Sequence, residues 1–82
     1  MTYSVVWLPG AMTAYRRMRT ADPAGAKRMA LAIGALASDP RPSNSNALGR
    51  TGFRRLRLEN YRILYEITEE TVLVMHLGSV HG

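Results

Sequence analysis

Phe53-Arg54-Arg55-Leu56-Arg57-Leu58-Glu59-Asn60-Tyr61-Arg62-Ile63-Leu64-Tyr65-Glu66-Ile67 decides the fold of this chain. Residues 53–58 alternate in type, and so do residues 61–67. That period of two is the mark of strands with one covered face. Glu59-Asn60 lies between the two runs, and Asn tolerates the positive φ that a two-residue hairpin turn demands. With those two residues as the loop, Leu58 faces Tyr61, Arg57 faces Arg62, Leu56 faces Ile63 and Arg55 faces Leu64. One face then carries Leu56, Leu58, Tyr61, Ile63, Tyr65 and Ile67, and the other Phe53, Arg55, Arg57, Arg62, Leu64 and Glu66.

The second face admits two readings. Like charges placed directly opposite one another destabilise a hairpin unless something anionic lies between them. Three arginines on one sheet face make a phosphate site, because guanidinium groups fork onto phosphate oxygens and stay charged. The other reading is a solvated face whose cations splay into water. Tyr61 and Tyr65 could stack on bases, but both fall on the apolar face, which favours core packing.

Downstream, Thr68-Glu69-Glu70-Thr71 turns the chain into a last strand over residues 72–78. Placing Leu73, Met75 and Leu77 inward buries the larger apolar set and sends Val72, Val74 and His76 to the arginine face. Upstream, the polar stretch 39–46 is a proline-fixed loop continued by residues 47–52, with Leu48 as its anchor on the core. Residues 2–8, rich in β-branched and aromatic types, read as a strand ended by Pro9-Gly10. A helix over 11–19 carries Ala11, Ala14, Tyr15 and Met18 on one stripe. Asp22 caps a second helix over 23–37, and Pro23 suits its first turn. Ala26, Met29, Ala30, Ile33, Leu36 and Ala37 form its covered stripe, with Gly34 allowing close packing on the sheet. A meander cannot bury itself, so the helices must cover it. The expectation is α+β: two N-terminal helices packed on a four-stranded, mostly antiparallel sheet in the order β-α-α-β-β-β, one domain over residues 1–82.

Eighty-two residues suffice for one modest core, and 46% hydrophobic residues fit a folded chain rather than a disordered one. With no cysteine there is no disulfide or thiolate metal site, and two histidines with few acids are a poor basis for any metal. No cofactor is expected. No apolar run is long enough to span a bilayer and no secretory signal opens the chain, so cytoplasm is the expected location. Eleven Lys and Arg against six Asp and Glu give +5, which suits nucleic acid or an acidic protein partner. Ten of the eleven cations are arginine, which an arginine-rich proteome would also produce.

Read in order, the chain resembles the RelE/ParE toxin superfamily of bacterial toxin–antitoxin systems. Tyr3 to Ala11 resembles the family's first strand and entry to helix one. Asp39-Pro40-Arg41-Pro42, then Leu48-Gly49 and Gly52-Phe53, is similar to the loop that precedes the family's hairpin. Arg55 to Tyr65 resembles the family signature at almost every position, and Val74-Met75-His76-Leu77-Gly78 its last strand. The resemblance implies a RelE-like fold, a RelB-like antitoxin as partner, and binding to the ribosome and its mRNA. In the RelE branch a ribose 2′-OH attacks the adjacent phosphodiester without metal. Arg55, Arg57 and Arg62 match family functional positions. Arginine does not give up its proton near neutrality, so these three are expected to hold phosphate and the charge of the transition state.

Active RelE members continue past the last strand with an Arg and then a Tyr, whereas this sequence reads Ser79-Val80-His81-Gly82 there. That departure leaves His76 and His81 as the side chains able to move a proton near neutral pH. Arg16, Arg17, Lys27, Arg28, Arg50 and Arg54 are candidates for tracking RNA phosphates, or serve only to solubilise the surface. Two other functions fit the resemblance: a ParE-type toxin that binds DNA gyrase by protein contact, and a catalytically weakened homologue that retains antitoxin binding.

Overall fold

A computed structural model describes residues 2–49 and 51–80. It places the hairpin in the register that the alternation requires. Strand β3 (Phe53–Leu58) runs antiparallel to β4 (Tyr61–Ile67), with Leu58 opposite Tyr61, Arg57 opposite Arg62, Leu56 opposite Ile63 and Arg55 opposite Leu64. Leu56, Ile63 and Tyr65 are fully buried. Each such side chain contributes about 1.5–3 kcal/mol of burial, and a one-residue slip would send all of them to solvent. The positive φ of the turn falls on Glu59 (φ 56°), not on Asn60 as expected. Glu59 is held there by a two-pronged ion pair with Arg28, Nε–Oε2 2.6 Å and Nη2–Oε1 2.9 Å.

The other elements are β1 (Ser4–Trp7), α1 (Pro9–Ala21), α2 (Pro23–Ala35), β2 (Ser45–Ala47) and β5 (Thr71–Ser79). The sheet has five strands, ordered β1-β5-β4-β3-β2, and only the β1–β5 pair is parallel. The expected four strands become five because the polar loop contributes a short edge strand. Ser-Asn-Ala has little intrinsic strand preference; side chains supply what propensity does not. Asn44 Nδ2 donates to the Arg57 carbonyl (2.8 Å), and Arg54 donates to Ser45 Oγ (Nε, 3.1 Å) and to the Ser45 carbonyl (Nη2, 3.2 Å).

The last strand departs from a single parity. Val72, Val74 and Leu77 are the buried residues of β5, while Leu73 and Met75 are only half-buried. The ladder with β4 steps from Leu64–His76 to Tyr65–Val74, leaving Met75 as the extra residue of a β-bulge. One inserted residue changes the phase of the alternation. Val72 and Val74 therefore go to the core rather than to the arginine face, while Leu77 goes in and His76 out, as expected.

Helix α1 begins at Pro9, where a missing N–H costs nothing. Asp22 caps α2 by accepting the Gly25 N–H at 3.1 Å. Ala11, Met29, Ile33 and Leu36 from the helical segment share one core with Leu56, Ile63, Tyr65, Val72, Val74 and Leu77. Trp7 and Tyr15 meet edge to face at 5.2 Å and tie β1 to α1. Gly34 is exposed with open space around it, so it does not serve close packing on the sheet; the close approaches are at Gly25, against the Asp22 carboxylate, and at Gly52, against the Ile67 carbonyl. Among the described residues no helix is long and apolar enough to cross a membrane.

Candidate nucleic-acid interface

Alternation puts Arg55 and Arg57 on the side of β3 opposite buried Leu56, and Arg62 on the side of β4 opposite Ile63. Across β3, β4 and β5 these residues form two rows. One runs Arg57–Arg62–Gly78 and the other Arg55–Leu64–His76. The rows are neighbours, so three guanidinium groups and one imidazole share the uncovered face. His76 is exposed, and its ring lies over Gly78: a Cβ there would stand 3.3 Å from His76 Nε2. The missing side chain lets the imidazole lean toward the Arg57–Arg62 row.

An open cleft of about 360 Å³ occupies this place, lined by Leu48, Arg55, Arg62, Leu64, His76, Gly78, Ser79 and Val80. Among the described residues no carboxylate lines it. Arg62 folds over the turn, its Nη1 donating to the carbonyls of Glu59 (3.0 Å) and Tyr61 (2.8 Å). Among the described residues the one ion pair is Arg28–Glu59, so Arg55, Arg57 and Arg62 keep their charge unanswered. Chemically the cleft offers forked donors for phosphate oxygens and one imidazole for proton transfer.

The remaining candidates disperse. Arg54 lies on the helix-facing side of β3 and is tied to Ser45, because alternation turns it away from Arg55 and Arg57. Arg28 is engaged with Glu59. Arg16 and Lys27 are exposed on the helices, on the far side of the sheet. Arg17 lines a second groove of about 390 Å³ with Ala14, Met18, Tyr61 and Leu77, which meets the cleft at Gly78 and Ser79. Arg50 and His81 lie outside the described residues. Tyr65 is core, its hydroxyl donating to the Pro40 carbonyl at 2.7 Å.

The sequence did not announce one link. The Tyr61 hydroxyl donates to Asp22 Oδ2 at 2.6 Å, joining the α1–α2 junction to the start of β4 across thirty-nine residues of chain. That bond, with the Gly25 N–H, holds the Asp22 carboxyl below the usual carboxylate range, and the same bond pushes the Tyr61 phenol up. The Glu59 hydrogen bonds raise the Arg28 guanidinium. Asp22 was recognisable as a cap; its partner 39 positions away was not.

Comparison with known proteins places these features in a family. Residues 5–81 match the family described as the ParE toxin of type II toxin-antitoxin systems, parDE. The fold is similar to the archaeal RelE of a RelE–RelB complex from Pyrococcus horikoshii, with TM-score 0.84, 23% identity and 96% of each chain covered. It is similar to the RelBE2 toxin–antitoxin complex from Mycobacterium tuberculosis, with TM-score 0.80, 23% identity, and 96% of this chain and 99% of that one covered. It is also similar to a mutant of the E. coli toxin RelE in the free state, with TM-score 0.80, 17% identity, and 96% and 84% covered. No curated protein matches the chain in sequence. The match over nearly the whole length assigns the chain to the ParE toxin family of type II toxin–antitoxin systems, within the RelE/ParE superfamily.

Proposed function

We propose that this toxin is a ribosome-dependent mRNA endonuclease. The observation that carries the reading is the cleft itself: Arg55, Arg62 and His76 around one concavity, with Arg57 directly across from Arg62 and no carboxylate among the described residues of the lining. In the proposed reaction the ribose 2′-oxygen bonds to phosphorus and the P–O5′ bond breaks, giving a 2′,3′-cyclic phosphate and a 5′-hydroxyl. His76 takes the 2′ proton, and the departing 5′-oxygen takes one from water at the open mouth of the cleft. The arginines hold the non-bridging oxygens, whose charge grows in the transition state. Fixed donors aimed at such charge are worth about 10²–10³ in rate each. The relatives from Pyrococcus horikoshii and Mycobacterium tuberculosis are described as complexes with RelB-type antitoxins. That likeness supports a RelB-like antitoxin as the partner that silences this chain.

A second reading follows from the matched family, which is named for ParE: the chain arrests growth by binding DNA gyrase. One experiment separates them. Purified toxin is added to ribosomes paused on a defined mRNA, and RNA ends are mapped. Fragments cut at the decoding site and ending in cyclic phosphate support the nuclease. Intact mRNA together with gyrase-linked DNA breaks in arrested cells overturns it in favour of the second reading.

A further inference from the structure

We infer that Arg28, on the covered side of the sheet, is a positioning residue for Arg62, on the uncovered side. Glu59 is the only described non-glycine residue with positive φ, a conformation that a long side chain seldom adopts without support. Arg28 supplies the support with two charge-assisted bonds to the Glu59 carboxylate, at 2.6 and 2.9 Å. The Asp22–Tyr61 bond fixes the other end of the same turn. Held in this way, the turn presents two carbonyls, Glu59 O and Tyr61 O, to one nitrogen of Arg62, at 3.0 and 2.8 Å. Nη1 is thereby occupied, and the rest of the guanidinium remains available to the cleft that Arg62 lines.

The pair is about half exposed on both sides, so its value as a stabilising ion pair is small. Its effect is directional: it sets which carbonyls Arg62 meets and therefore where the unoccupied donors aim. Arg28 touches no phosphate in this scheme and acts through Glu59 and the turn. The inference rests on the arginine face being a phosphate site, and deepens it by adding the element that orients one of its donors.

The test uses the full chain, labelled with nitrogen-15, and follows the Arg62 Nε–Hε signal alone and during titration with inorganic phosphate. Arg28→Ala is expected to move the Arg62 signal of the free protein toward that of an unrestrained arginine and to weaken phosphate binding about two- to fivefold. Arg28→Lys, which cannot fork, is expected to fall between. The exchanged pair Arg28→Glu with Glu59→Arg is expected to restore signal and affinity together. Arg41→Ala, which removes the same charge elsewhere, is expected to leave the Arg62 signal in place. An Arg62 signal unchanged in the free Arg28→Ala protein overturns the inference. If the wild-type protein binds no phosphate, the phosphate-site reading fails, while the Arg62 signal of the free variants still decides the positioning role.

Discussion

Arg57 and Arg62 stand directly opposite each other on β3 and β4, and neither has a carboxylate partner among the described residues. Like charges directly opposite one another destabilise a cross-strand pair. Arg62 gives one nitrogen to the turn carbonyls of Glu59 and Tyr61 and Arg57 makes no described side-chain bond, so their placement together on the uncovered face suits a binding role.

Arg57→Ala should therefore separate function from stability. Arg57 is exposed and its side chain reaches no described partner, so the thermal midpoint should hold or rise slightly. Cleavage of ribosome-bound mRNA should fall about 10²–10³-fold, the loss expected for one donor to transition-state charge. A sharp fall in the midpoint with cleavage retained would assign Arg57 to the fold instead.

Gly25 and Gly34 sit in the same helix and should respond in opposite directions. A Cβ at Gly25 runs into the Asp22 carboxylate, which caps α2 and receives the Tyr61 hydroxyl. Gly25→Ala should lose the cap, about 0.5–2 kcal/mol, and lower the midpoint in thermal denaturation. Gly34 is exposed with nothing near its missing Cβ, so Gly34→Ala should stabilise by about 0.4–1 kcal/mol through helix propensity and unfolded-state entropy.

The Asp22–Tyr61 bond gives stability two pH limbs. Asp22 has a lowered folded-state pKa, so its contribution is present above the ordinary carboxylate range and is lost as pH falls through the folded value. Tyr61 has a raised one, so its contribution is present below the ordinary phenol range and is lost as pH rises through the folded value. Melting curves across acid and alkaline pH should show both limbs. Asp22→Asn should flatten the acid limb and Tyr61→Phe the alkaline one; an unaltered acid limb in Asp22→Asn would show that other carboxylates govern acid unfolding.

The parts of the fold legible in the sequence are those set by local period and turn chemistry. The β3–β4 register follows from alternation and a two-residue loop, which is why Arg55, Arg57 and Arg62 are found together. The cap at Asp22 follows from its own chemistry beside Pro23. What escaped is non-local. The bulge at Met75 reconciles two apolar phases, Val72 with Val74 and then Leu77, and alternation alone chooses one phase for the whole strand. Strand β2 exists through the side chains of Asn44 and Arg54 rather than through propensity. Arg28 looked like a free surface cation because its carboxylate lies 31 residues away.

His76 and Gly78 make the last prediction. They are two apart on β5 and share the uncovered face, and the absent Cβ of Gly78 is the space over which the imidazole lies. Gly78→Ala puts a methyl 3.3 Å from Nε2, so the ring must yield by a few tenths of an ångström. It is exposed and has room to do so, and the fold should survive with its midpoint nearly unchanged. Proton transfer is sensitive to that displacement. His76→Ala should lower cleavage about 10²–10⁴-fold, Gly78→Ala by a smaller factor, and the double variant no further than His76→Ala, because a ring that is gone cannot be misplaced. Unchanged cleavage in His76→Ala would remove this histidine from the mechanism, and a double variant worse than His76→Ala would mean that Gly78 matters for something other than the ring.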